Sequence, residues 1–422
     1  MNGRALNAEM LYYLFDSANM HRWNDHLRPL DLTELDKQAH KAALTWVLGK
    51  CEEDAGNPVD WERIVERTMY SFVQRIALTD LKPQVFHRIN AEKSEEVSRY
   101  VLGEFDRRVK GTAPGFRRGL QEYLSSDKRT REDAVIRAAH YIATRWEFDT
   151  IYDVNRSVYG IETTRREIDE QISQHEDLKG VPQLMDRESG LHKFADVVGQ
   201  LRFQQRWARS PRIPRTTVLG HSLMVADTVY LNDRDRGVSG RQVYGDFYTA
   251  LFHDLPEALT RDVITPVKTS VSGLPALLED IEHEMVENGI IPLVPEGWRD
   301  DLRYMAYDPF SDSDKPARDG RQIKAADLLA AWMEAHISIR YGVSSKSLRD
   351  GKVDIGRKLT ESGGYGEAIE AFEILADFEK MEIRLRSSHG ASAGCAWPGA
   401  SSSPPCRGTP RRPIARSWSR SA

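Results

Sequence analysis

Cysteine is scarce in this chain: Cys51, Cys395 and Cys406 are all there is in 422 residues. Three thiols cannot build a disulfide framework, and none forms a CxxC pair, so a thiolate zinc site is not expected and a reducing, cytoplasmic setting is. Long apolar runs are missing too. Nothing approaches the ~18–20 residues that a membrane helix needs. The run Met10–Phe15 is stopped by Asp16 and is too short for the core of a secretory signal, so no such signal is expected. An excess of one charge is lacking: 59 basic residues face 64 acidic ones, a net −5, which gives no global pull toward nucleic acid. Acid is absent from one place, the stretch after Glu382. Residues 388–422 are rich in Ser, Pro, Ala, Gly and Arg and carry Arg407, Arg411, Arg412, Arg416 and Arg420. With no apolar period this tail is expected to be disordered. It reads either as an arginine arm for nucleic acid or as an unstructured extension, and its few aromatics favour the extension.

What is present points to a helical protein. Hydrophobic residues make up 40% and charged residues 29%, enough to bury cores and stay in solution. The length allows two or three domains. Apolar residues recur three and four apart in EMLYYLFDSANMHRW, DAVIRAAHYIATRWEFDTIYDV, SLMVADTVYLND and QIKAADLLAAWMEAHISI. Alternating β-rich runs are few, so the expected fold class is all-α.

The chain also resembles itself. RAAHYIATRWE at 137–147 matches KAADLLAAWME at 324–334, and IALTDLKPQV at 76–85 matches EALTRDVITPV at 257–267. Arg22-Trp23 and Arg206-Trp207 are each followed by a histidine, His40 and His221, and the interval from His40 to Phe72 equals that from His221 to His253. Two copies of one helical domain are expected, residues 1–187 and 188–387, followed by the 388–422 tail.

The second copy holds the one His-Asp dipeptide, His253-Asp254. Glu257 follows four residues after His253, which on a helix puts both on one face. His221 lies upstream. Asp327 lies downstream in the apolar stretch IKAADLLAAW, where only Lys324 is a near cation. A carboxylate on such a face is costly to bury unless it is paired or bound to metal. Two imidazoles and two carboxylates suit Mn, Co, Fe or Zn better than Ca. Each residue also has an ordinary reading: His221 as a helix-start histidine, Asp327 as a buried hydrogen-bonded carboxylate, Glu257 as an exposed helix residue, Arg206-Trp207 as a surface cation–π pair, Thr265-Pro266 as a turn and Lys268 as solvated surface. The ordered set weighs against them.

The order H…HD…D, with Glu257 and the run Asp262-x-x-Thr265-Pro266-x-Lys268, resembles the HD-domain metal-dependent phosphohydrolases. With Arg206-Trp207 ahead of the first histidine, it resembles more narrowly the bacterial 5′-deoxynucleotidase branch, over about residues 195–385. The resemblance implies tandem HD-type helical bundles. It implies a metal held by His221, His253, Asp254 and Asp327, and Glu257 beside the attacking water. Asp262 would act near the sugar or leaving oxygen, Trp207 would pack on the deoxyribose, and Arg206, Thr265 and Lys268 would address the phosphate. The expected activity is phosphate removal from nucleotides, foremost deoxynucleoside 5′-monophosphates. Alternatives are a triphosphate or other nucleotide substrate, for which the Arg-rich RWARSPRIPRTT is the nearest support, or a non-catalytic nucleotide-binding regulator.

In copy one, Phe72 and Val73 stand for the His-Asp pair, Ile76 for Glu257 and His140 for Asp327, leaving His40 as the remaining ligand candidate. Two histidines without carboxylates make a poor hydrolytic site, so copy one is expected to be catalytically dead. Its expected role is to pack as the internal partner of a pseudo-dimer, with further homo-oligomerisation open. Neither a membrane nor nucleic acid is an expected partner.

Overall fold

The computed structural model describes residues 3–79, 83–126, 130–261, 273–314 and 317–381. The 388–422 tail lies outside them. Residues Met1–Ile383 make one compact unit. It is all-α: α1 (Ala8–Phe15), α2 (Glu34–Asp54), α3 (Trp61–Leu78), α4 (Pro83–Arg108), α5 (Pro114–Ser125), α6 (Arg131–Tyr152), α7 (Ile161–Ser173), α8 (Val181–Met185) and α9 (Gly190–Gln200). Then come α10 (Val218–Arg236), α11 (Gly240–Phe252), α12 (Glu257–Thr260), α13 (Leu274–Gly289), α14 (Arg299–Tyr307), α15 (Gly320–Arg340), α16 (Lys346–Thr360) and α17 (Ala371–Lys380). A two-residue hairpin, Ser313–Asp314 against Ala317–Arg318, is the only sheet among the described residues.

The helices that matter begin on side-chain caps. Thr33 caps α2, Asp60 α3, Thr217 α10, Ser239 α11 and Asp319 α15, each accepting from a backbone N–H of the first turn. Thr130 and Asp133 form a reciprocal capping box on α6. Gly237, at φ 64°, ends α10 in the left-handed conformation that costs glycine least.

The first 23 residues depart from the expected long helix. α1 stops at Phe15, a 3-10 turn follows, and Arg22-Trp23 sit in a loop. Loop and backbone marks recur in the two halves. His21 bridges Thr33, and Gln205 bridges Thr217. Trp23 has φ 57° and Trp207 has φ 56°. Trp23 Nε1 donates to Glu147, and Trp207 Nε1 donates to Glu334.

One large core runs through both halves, and a small second cluster gathers Ala77, Val97 and Val101. α2 and α10 approach so closely that a Cβ on Gly220 would lie 2.7 Å from Asp36 Oδ1. Asp36 accepts from both capping threonines, Thr33 at 2.9 Å and Thr217 at 2.6 Å. Trp46 of α2 meets Phe252 and Trp298 at centroid distances of 5.4 and 5.6 Å, and Trp61 meets Tyr248 at 5.5 Å. These aromatic contacts bury large apolar area across the halves. Residues 188–387 expressed alone would expose it. By light scattering such a chain is expected to self-associate or aggregate, and a stable, active monomer would remove the need for the first half.

Candidate metal centre and substrate site

α10 carries His221 four residues past its Thr217 cap and buries it completely. α15 carries Asp327 opposite, and His221 Nε2 lies 3.1 Å from Asp327 Oδ1. His253 is placed differently from the sequence expectation. α11 ends at Phe252, and His253-Asp254 sit in a tight turn before α12 starts at Glu257, so His253 and Glu257 do not share one continuous helix. Pro256 has no N–H to continue the ladder. The turn is instead closed by i→i−3 bonds, Leu255 N to Phe252 O and Glu257 N to Asp254 O. This break turns the dipeptide into the interior.

His253 Nδ1 donates to Ala250 O at 2.7 Å, which leaves the Nε2 lone pair facing the site. His221, His253 and Asp327 each offer a ligand atom within 4.8 Å of the others. Asp254 Oδ2 is 3.2 Å from His253 Nε2. Both of those atoms are buried without a hydrogen-bond partner, a pattern that a bound cation resolves. The nitrogen and oxygen donors fit a divalent transition metal. Lys324 Nζ, 2.8 Å from Asp327 Oδ2 and 4.1 Å above the Phe310 ring, stands at the rim.

Carboxylates and cations offset one another in this cluster. Burial pushes the Asp254 carboxyl up, but His253, Arg206 and His221 outweigh it and hold the group well below the carboxylate range. Burial likewise opposes Asp327, and Lys324, His221 and His253 overcome it. His221 is raised despite burial and the nearby Arg206, because Asp327 and Glu334 favour its charged form.

Sequence reasoning missed Glu334 as part of the site. It is buried, accepts from Trp207 Nε1 at 2.9 Å and from the Thr216 hydroxyl, and faces Arg206 Nε at 3.8 Å and His221 Nδ1 at 3.7 Å. Its signal was available as the last residue of the repeated stretch ending at Glu147 and Glu334. Arg206 also faces Asp254 at 3.8 Å. Gln204 Nε2 donates to the Glu257 carbonyl at 2.6 Å, fixing the start of α12. Of the Arg-rich segment, Arg212 is buried on Thr216, whereas Arg209 and Arg215 are exposed. Asp262, Thr265 and Lys268 lie outside the described residues.

Residues 193–371 match the family model of YfbR-like 5′-deoxynucleotidases. A 5′-deoxynucleotidase of Shewanella oneidensis is 29% identical over 147 residues, 34% of this chain and 72% of that protein. A 5′-deoxynucleotidase of Pasteurella multocida is 25% identical over 189 residues, 43% of this chain and 91% of that protein. A solved HD-domain phosphohydrolase from Listeria innocua covers 46% of this chain and 90% of its own at 21% identity, with a TM-score of 0.39. The second half of the chain is thus similar to 5′-deoxynucleotidases. The family model leaves residues 1–192 unmatched.

Glu334→Gln tests the newly found residue. It keeps the volume but removes the charge beside Arg206 and His221. Partners one step removed from a metal cost about 10–100-fold in affinity or activity when lost. A drop of that size in phosphate release is expected, with far-ultraviolet circular dichroism unchanged. Equal activity would place Glu334 outside the machinery.

Proposed function

We propose that the chain removes phosphate from deoxynucleoside 5′-monophosphates with a divalent metal held by His221, His253, Asp254 and Asp327. The observation that carries this is the convergence of two buried histidines and Asp327 on one point, with Asp254 beside them, inside the segment that matches the 5′-deoxynucleotidase family. When bound, the metal supplies Lewis acidity toward the phosphoryl oxygen and lowers the pKa of water.

The chain's own residues do the rest. Glu334 beside His221 Nδ1 and the Nδ1 bond of His253 orient the two imidazoles. Glu257, at the first turn of α12 beyond the dipeptide, accepts a proton from the attacking water. Arg206, held by Glu334 and Asp254, offers its guanidinium to the phosphate dianion. Trp207, locked by its bond to Glu334, forms the wall against which a deoxyribose packs and a 2′-hydroxyl is disfavoured. Lys268 and Thr265 complete the phosphate contacts, and Asp262 acts near the leaving oxygen.

Residues 1–187 are a degenerate copy that packs as the internal partner. The test is a panel of mono- and triphosphates with Mn²⁺, Co²⁺ and Mg²⁺. Orthophosphate from deoxynucleoside monophosphates supports the reading, whereas triphosphate release from triphosphates redirects it to the other substrate class. Trp207→Ala is expected to narrow the gap in kcat/KM between deoxy- and ribonucleotides. An unchanged ratio would remove Trp207 from sugar selection.

A further inference from the structure

The first half repeats the frame of the metal centre with its charge inverted. Lys37 lies four residues after the Thr33 cap, as His221 lies four after Thr217, and Glu147 lies seven after His140, as Glu334 lies seven after Asp327. Where His221 meets Asp327, Lys37 Nζ meets His140. His40, the sequence-based match for His221, is elsewhere: its Nε2 contacts the Ala195 carbonyl at 3.0 Å, and Arg202 approaches its Nδ1. The first frame keeps Arg22 and Trp23 on Glu147, as Arg206 and Trp207 are kept on Glu334.

The surrounding charges differ in sign. The charges acting most strongly on Arg206 are the carboxylates Glu334, Asp254, Asp327 and Glu257. Those acting most strongly on His140 are Lys37, Lys41, Arg75 and Arg22, all cations. Lys37 is fully buried and Lys41 is 2% exposed, with Lys41 Nζ on Ser71 Oγ at 2.6 Å. The nearby carboxylate of Glu34 is engaged by Arg22 at 2.7 Å and Gln38 at 2.6 Å, with Arg75 Nε at 3.5 Å. Asp227, the carboxylate that acts on Lys41 from α10, is itself driven by burial well above the carboxylate range, so it offers little counter-charge. Burial, joined by the neighbouring cations, presses down His140 and, against the opposing carboxylate of Glu34, Lys37; burial likewise outweighs Glu34 and brings Lys41 to about 8. An anion relieves this repulsion, and Arg75 and His140, both half-buried, are the members of the cluster that solvent reaches.

We infer that the first half holds a metal-independent site for a phosphate group, formed by Lys37, Lys41 and Arg75 around His140. Lys37 and Lys41, whose charged forms a bound anion restores, and the Arg75 guanidinium give charge-assisted bonds that match a phosphate dianion. The source is either free phosphate or the phosphate of a nucleotide whose sugar meets Trp23. Only the nucleotide arm rests on the proposed substrate, because the phosphate arm needs no catalysis.

The experiment uses the full chain carrying His253→Ala and Asp254→Ala, in EDTA, which disables the second-half centre. Calorimetry and thermal melts are run with inorganic phosphate, with a deoxynucleoside monophosphate, and with chloride at matched ionic strength. One phosphate site per chain is expected, with a raised Tm that chloride does not reproduce. Tighter binding of the nucleotide identifies it as the source, and equal binding identifies free phosphate. Arg75→Gln is expected to weaken binding about 10–100-fold, the range of a lost charged hydrogen bond. If Arg75→Gln unfolds, Lys37→Met, which keeps the aliphatic volume, gives the same reading. No phosphate binding, or binding unchanged in the folded variant, overturns the inference whether or not the second half proves to be a phosphatase.

Discussion

Replacing His253 and Asp254 together by alanine is expected to cut phosphate release by at least about 100-fold, since even the supports of metal ligands cost 10–100-fold when removed. The pair sits in the break between α11 and α12, where neither side chain is needed to continue a helix. Both present buried atoms that lack a hydrogen-bond partner. Removing them therefore takes away ligand atoms more than structure, and the fold should survive. Measurement of released phosphate alongside a denaturation curve separates the two effects. Retained activity in the folded double variant would rule out the proposed metal ligands.

Replacing Glu147 by alanine is expected to cost about 3–5 kcal/mol of stability, because it strands buried cations. Glu147 is fully buried and takes Arg22 Nε at 2.8 Å, Arg202 Nη1 at 3.1 Å and Trp23 Nε1 at 3.0 Å. Arg202 is itself fully buried and stacks over Trp146 at 4.5 Å. No water can take over these charges without opening the core. A large fall in the urea midpoint with an unchanged slope is the expected result. A change below about 1 kcal/mol, the worth of a surface pair, would show that solvent reaches these groups.

The two variants bear on different halves, and the sequence was legible to different depths in each. Helix content could be read because apolar spacing marks helices, and the clustering of His221, His253 and Asp327 because those residue types are rare together. The break at His253 could not be read from spacing, which favours one continuous helix through Glu257. It depends on how Pro256 is accommodated between two packed elements. The match of His40 to His221 followed from equal intervals, His40 to Phe72 and His221 to His253, whereas it is Lys37 that meets His140 and His40 lies on the Ala195 carbonyl. The frame is set by the capping threonine and the left-handed tryptophan before it, which put Lys37 in that place. Glu334 was within reach as the end of a repeated stretch, but its grip on Trp207 depends on a loop conformation that composition does not reveal.

Metal content tests the central claim most directly. The full chain, loaded with Mn²⁺ or Co²⁺, passed through a desalting column and analysed by elemental mass spectrometry, should hold one divalent ion per chain. The His253→Ala, Asp254→Ala variant should hold none while remaining folded. An ion-free wild-type chain that still releases phosphate, or a variant that keeps its ion, would contradict the account.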